Sequence, residues 1–191
     1  MAGEDESVLR RAARLVGVVL AGSSALGDPD GAVSAADPLR VAMKDLLDAS
    51  AEFDHEQARE DLYVTVLRQL TPDEARIVSV LATGVAFPAV DVVGRDRVVL
   101  RNASTVGEAA GVVLLEEVPA YLTRLAGLGL VDIDGENAEL GAQYEILATS
   151  SLVRTALASA KRGKLVRRTA RISGFGSRFW AACDPAKSRA L

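Results

Sequence analysis

Residues 70–78 of this 191-residue chain are Leu70-Thr71-Pro72-Asp73-Glu74-Ala75-Arg76-Ile77-Val78, and they predict the start of a helix. Thr71 is a residue type favoured at an N-cap, and Pro72 suits the first helical position. The two acidic residues that follow lie where the helix dipole favours negative charge. Apolar residues then recur at helical spacing through Leu81. We therefore predict that a first core helix begins at Pro72.

Two further helices are predicted after it. The second starts at Ser104 or Thr105 and ends before Gly111, a residue that suits a tight turn between helices. The third covers residues 115–126, where apolar residues again recur at helical spacing. Three short helices in this order are typical of a helix-turn-helix core.

Short β-branched runs lie between and after these helices. Residues 90–93 and 98–100 predict a small hairpin or the first strand of a winged sheet, and residues 130–132 predict a strand that enters a turn at Asp134-Gly135. An alanine-rich helical pattern over 142–161 is inserted before residues 164–172, which alternate as a strand does. We predict a mostly helical α+β fold with a winged-helix-like core, an N-terminal helical extension and a helix inserted in the wing.

The first third of the chain is organised as that helical extension. Residues 5–21 form an amphipathic pattern, residues 22–37 lack periodicity and predict a linker, and two bracing helices are expected before residue 70. We assign residues 1–69 to the extension, 70–183 to the winged-helix-like domain and 184–191 to a C-terminal tail.

Export and membrane insertion are not expected. The acidic residues Glu4, Asp5 and Glu6 offset three nearby arginines, which is not the pattern of a secretory signal. No stretch approaches the ~20 apolar residues of a bilayer span. We expect residues 5–21 to dock on the protein body rather than on a membrane surface, and a cytoplasmic location.

The residue inventory restricts the chemistry. His55 and Cys183 are the only histidine and cysteine, so an internal disulfide and a thiol-only metal site are excluded. We find no Gly-rich phosphate loop and no Ser/His pairing at a recognisable spacing. The acidic run 132–136 is too short for a calcium loop and predicts a solvated turn. We expect no enzymatic activity, no cofactor and no metal.

Charge is divided along the chain, although the net charge is only −4. Residues 1–153 hold 12 Lys and Arg against 25 Asp and Glu, whereas residues 154–191 hold 10 against one. Such a division indicates either a surface for nucleic acid or an acidic partner, or internal complementarity with the acidic remainder. The candidate binding residues are Arg154, Lys161, Arg162, Lys164, Arg167, Arg168 and Arg171. Arg167 and Arg171 are expected to share a solvent-facing side of the strand.

The third helix is a poor reader of DNA. In helix-turn-helix proteins the early residues of this helix meet base edges in the major groove. Here they are Glu116 and Glu117, and Arg124 alone offers compensation on the exposed side. Two carboxylates facing a polyanion repel it.

At four places the chain resembles the Abi-alpha family, bacterial proteins associated with abortive infection, a phage-defence response. The matching segments are 70–77, 101–111, 121–131 and 172–179, which read LTPDEARI, RNASTVGEAAG, YLTRLAGLGLV and ISGFGSRF. The resemblance implies a role in phage defence and a non-enzymatic fold. Two functions follow as hypotheses: an interaction module that holds a protein partner or a second copy of itself, and a nucleic-acid-binding regulator that uses the basic C-terminal segment.

Overall fold

The computed structural model describes residues 36–187. Contacts divide the chain into two units, Met1–Phe53 and Asp54–Leu191. The described part of the first unit is helix α1, Ala36–Glu52, where Leu39, Met43 and Leu47 are each more than half exposed. The predicted amphipathic segment 5–21, most of the predicted linker and the last residues of the predicted tail lie outside the described residues.

The second unit contains seven helices and four strands among its described residues, so the predicted α+β class is confirmed. The helices are α2 His55–Leu67, α3 Pro72–Leu81, α4 Val106–Ala109, α5 Val118–Gly127, α6 Gly141–Ala148, α7 Ser151–Ser159 and α8 Gly174–Cys183. The strands are β1 Phe87–Val93, β2 Val98–Ser104, β3 Val131–Asp134 and β4 Lys164–Ile172.

The strands form one antiparallel sheet in the order β2-β1-β4-β3. The predicted hairpin is confirmed, since β1 pairs with β2 through Val90 and Ala103. Strand β4 lies between β1 and β3, with Val90 opposite Arg167 and Asp132 opposite Arg171. The basic strand is therefore a central strand, with a neighbour on each side.

Helices cover both faces of this sheet. Ala89 and Ala170 belong to one core with α3, α5 and α8, whereas Val90 and Val92 belong to a second core with α6 and α7. Successive strand residues point to opposite faces, which explains the division. Tyr144 of α6 is the largest fully buried side chain of the second core.

Helix α3 begins at Pro72, as predicted. The backbone N–H of Glu74 donates to the Thr71 hydroxyl at 3.3 Å, and the Thr71 backbone N–H donates to Glu74 Oε2 at 2.8 Å. This reciprocal capping box satisfies two N–H groups that a helix N-terminus otherwise leaves unpaired.

Two predicted helices differ in detail from the structure. Residues 142–161 form two helices rather than one, because the Ser150 hydroxyl accepts from the Val153 N–H and caps α7 as a new start. Residues 115–117 form a 3-10 turn, and α5 begins only at Val118. Pro119 has no N–H to continue an α-helix from residue 115, which explains the later start.

Candidate interaction surfaces

Arg167 of β4 is paired with carboxylates of the fold and is only partly exposed to solvent. Its guanidinium lies 2.7 Å from Glu136 Oε1, also pairs with Glu145, and stacks 5.3 Å from the centre of the Tyr144 ring. The hydrogen bond that Arg167 donates to Glu136 is the main cause that raises the pKa of Arg167 above its usual value. Only 34% of the Arg167 side chain is exposed. The side of the strand predicted to face solvent is only partly exposed at Arg167, next to Tyr144 and Glu145 of α6, whereas Arg171 on the same side is 57% exposed.

The Tyr144 ring is fixed by its hydroxyl. The Thr169 hydroxyl donates to the Gly135 carbonyl at 2.8 Å, so the Tyr144 hydroxyl, 3.0 Å away, must donate to Thr169. The Asn137 N–H in turn donates to the Tyr144 hydroxyl at 3.1 Å. This network holds the turn after β3 against β4 and supports the ring on which Arg167 lies.

The other two strand arginines also have carboxylate partners. Arg168 Nε donates to Asp91 Oδ2 at 3.3 Å, and Asp91, which is 6% exposed, also accepts the Asn102 N–H at 2.8 Å. Arg171 Nε lies 2.6 Å from Asp134 Oδ2. Both partners come from neighbouring strands. The three strand arginines are therefore neutralised by the acidic part of the chain.

The remaining four predicted binding residues differ from these three. Arg154, Lys161, Arg162 and Lys164 are exposed, and none has a carboxylate within 4 Å among residues 36–187. The structure thus separates the seven predicted residues into a paired set within β4 and an exposed set on α7, the loop that follows it and the first residue of β4.

The start of α5 is negative at its surface. Glu116 and Glu117 are exposed, and they are among the carboxylates that, after desolvation, raise the pKa of Tyr121. Arg124 points to Glu74 instead: its Nε lies 3.3 Å from Glu74 Oε1, and its Nη2 donates to the Gln69 carbonyl at 2.6 Å. The cation of this helix is therefore already engaged within the fold.

The loop before α5 exposes three consecutive apolar side chains, which the sequence analysis did not single out. Val113 is 75% exposed, and Leu114 and Leu115 are each 45% exposed. The loop is held at its base, because Val112 is buried and Arg76 donates to the Gly111 carbonyl at 2.5 Å. In the sequence, the run of four apolar residues directly after Gly111 was the signal from which this exposed loop could have been predicted. We call residues 113–115 the apolar loop.

Groups suited to catalysis or metal binding are scarce in the described part of the chain. Within it, no three His, Cys, Asp or Glu side chains are placed to hold a metal ion. His55 is exposed at the start of α2. Burial raises the pKa of the Cys183 thiol above its usual value, so a smaller fraction of this cysteine is thiolate at neutral pH. No described helix is long and apolar enough to cross a bilayer.

The model of the family described as Abortive infection alpha matches residues 9–183, which is most of the chain. The chain belongs to the Abortive infection alpha family. The resemblance found in the sequence is confirmed, and the family name associates Abi-alpha proteins with abortive infection. The match includes both the paired strand arginines and the apolar loop.

A solved structure supports the same fold. It is an uncharacterised protein from the hydrocarbon-degrading marine bacterium Alcanivorax borkumensis SK2, 30% identical in sequence with a TM-score of 0.58. The similarity covers 70% of this Abi-alpha chain and 99% of that one. Among curated proteins, no sequence matches the chain.

Proposed function

We propose that this Abi-alpha protein is a non-enzymatic, cytoplasmic interaction module of phage defence, which uses a winged-helix-like scaffold to hold a protein partner or a second copy of itself. The family match supports the role in abortive infection. The contact itself is assigned to the apolar loop.

The order of elements supports the scaffold. Helices α3, α4 and α5 precede β3 and β4, and β4 lies between β3 and β1. We infer from this order a helix-turn-helix unit followed by a two-stranded wing. On this interpretation α6 and α7 lie in the wing connection, so the wing packs in the core and does not project as a finger.

One observation carries the proposal: the apolar loop is exposed although its base is fixed. Burying a Val or Leu side chain contributes about 1.5–3 kcal/mol, so three such side chains left in water favour a partner that covers them. The adjoining Glu116 and Glu117 disfavour nucleic acid at this surface and favour a partner with a basic rim.

The test is phage plating and host survival in a susceptible bacterium that expresses the protein. We expect Val113→Ser/Leu114→Ser to abolish protection while its thermal unfolding midpoint stays that of the wild type. Ile146→Ser is the matched control, because Ile146 is 66% exposed on α6, the helix that packs on the other face of the sheet. Protection retained by the loop variant would overturn the assignment, and wild-type protein without any effect on plating would overturn the role in phage defence.

Light scattering after size-exclusion chromatography shows whether the apolar loop binds a second copy of the chain or a separate protein. A dimer that the loop substitutions convert to a monomer indicates a second copy. A monomer in both proteins, together with a protein that co-purifies from infected cells with the wild type and not with the loop variant, indicates a separate partner.

The nucleic-acid-binding regulator is the second candidate function. The exposed cations Arg154, Lys161, Arg162 and Lys164 favour it, since they have no carboxylate partner among the described residues. The strand arginines Arg167, Arg168 and Arg171 do not favour nucleic-acid binding, because carboxylates of the fold already pair with them.

A further inference from the structure

Two basic segments that are distant in sequence meet at one end of the sheet. The turn between β1 and β2 contains Arg95, whose N–H donates to the Lys161 carbonyl at 3.1 Å. Val93, just before this turn, lies opposite Lys164 in the sheet. The β1–β2 turn and the α7–β4 connection therefore form one continuous surface.

This surface is rich in exposed cations. Within the two segments Asp96 is the sole carboxylate, and none of the cations has a carboxylate within 4 Å among residues 36–187. We call these five exposed residues the basic end: Arg95, Arg97, Lys161, Arg162 and Lys164. The sequence analysis predicted three of them and missed the two from the turn, because only the fold brings them together.

The backbone at Arg162 supports a role for its side chain. Its φ is +55°, in the left-handed region that glycine favours and that costs other residues about 1–2 kcal/mol. Asn102 has a similar φ, but asparagine tolerates it well. Because strained backbone conformations cluster at binding sites, the positive φ of this exposed arginine supports a binding role for its guanidinium.

We propose that the basic end binds the phosphate backbone of nucleic acid without sequence preference. The inference deepens the second candidate function, on which it rests, and places the binding site at the end of the sheet. Five cations can each contact a phosphate, and no aromatic residue lies in either segment to stack on bases. Next to the basic end, Val98 is a large apolar side chain that is 38% exposed. This exposed apolar area is too small to insert into a lipid surface.

The test is fluorescence anisotropy of the full chain with labelled 20-nucleotide duplex DNA, single-stranded DNA and RNA over a range of salt. Each phosphate contact adds about 0.9 to the magnitude of the slope of log K against log salt on duplex DNA, so five contacts predict a slope of about −4.5. We expect Lys161→Ala/Lys164→Ala to reduce the magnitude of this slope by about two. Absence of binding to all three probes at low salt would overturn the proposal.

Arg59→Ala/Arg178→Ala is the matched control. Both arginines are exposed, neither has an ion pair among the described residues, and they lie on α2 and α8. The pair removes the same charge as the basic-end variant, so an equal loss of affinity would attribute binding to net charge and overturn the site. Tighter binding to vesicles containing 30% anionic lipid than to any nucleic acid would also overturn it.

Arg162→Gly separates binding from folding. Glycine relaxes the backbone, so the unfolding midpoint should stay unchanged or rise while the affinity for nucleic acid falls. A lower midpoint, or an unchanged affinity, would contradict the assigned role of Arg162. Because the apolar-loop variant retains the whole basic end, its loss of phage protection and a loss of nucleic-acid binding are independent outcomes.

Discussion

Replacing Arg124 by methionine should destabilise the protein by about 2–3 kcal/mol. Methionine retains most of the aliphatic packing but removes the guanidinium from Glu74, whose side chain is completely buried. Breaking a buried ion pair from one side costs about 3–5 kcal/mol, because the other charge is left unpaired. The cost is smaller here since Arg124 is 51% exposed and water screens the pair. Urea unfolding followed by circular dichroism measures the change in free energy of unfolding.

A second substitution tests the cause. Glu74 Oε1 has no hydrogen-bond partner among the described residues and relies on the charge of Arg124, while Oε2 accepts the Thr71 N–H. Glu74→Gln/Arg124→Met keeps an acceptor for Thr71 and removes the buried charge, so it should be more stable than Arg124→Met alone. Arg178→Met is the control and should change stability by less than about 0.5 kcal/mol. A loss of less than about 0.5 kcal/mol in the free energy of unfolding for Arg124→Met would refute the reasoning.

Three further predictions follow from the packing. Gly176→Ala should destabilise by about 1–3 kcal/mol in thermal unfolding, because its new Cβ would overlap the Leu130 carbonyl oxygen; Gly127→Ala, which has open space, should not, and equal effects would exclude the clash. Tyr144→Phe should cost about 1–2 kcal/mol in urea unfolding, since Asn137 and Thr169 lose a shared partner; wild-type stability would show that the network contributes nothing. Cys183 should react with iodoacetamide more slowly than free cysteine near pH 8, because its raised pKa lowers the thiolate fraction, and the rate should increase as pH rises further; a rate equal to that of free cysteine would contradict the burial.

Local signals were sufficient for much of the fold. Thr71 and Pro72 act within one helical turn, so the start of α3 could be predicted to the residue. The alternation over 164–172 likewise predicted β4 with its observed bounds. Pro119 was a local signal too, and giving it more weight would have placed the start of α5 correctly.

The surfaces depend on contacts that no local pattern encodes. Whether Arg167 faces water or a carboxylate depends on where α6 places Tyr144 and Glu145 across the sheet. The contact between Arg95 and Lys161 requires β1 to pair with β4. The sequence was compatible with both internal complementarity and a binding surface, and the structure pairs three of the seven predicted cations with carboxylates and leaves four exposed.

The most direct test of this division compares two double variants that remove the same charge. Arg167→Gln/Arg168→Gln should lower the free energy of unfolding by about 2 kcal/mol, because Asp91 is buried and loses a charged hydrogen bond. Arg154→Gln/Lys161→Gln, which removes exposed cations with no carboxylate partner among residues 36–187, should lower it by less than about 0.5 kcal/mol. Equal stability of the two variants would contradict the claim that the strand arginines, unlike the exposed cations, stabilise the fold.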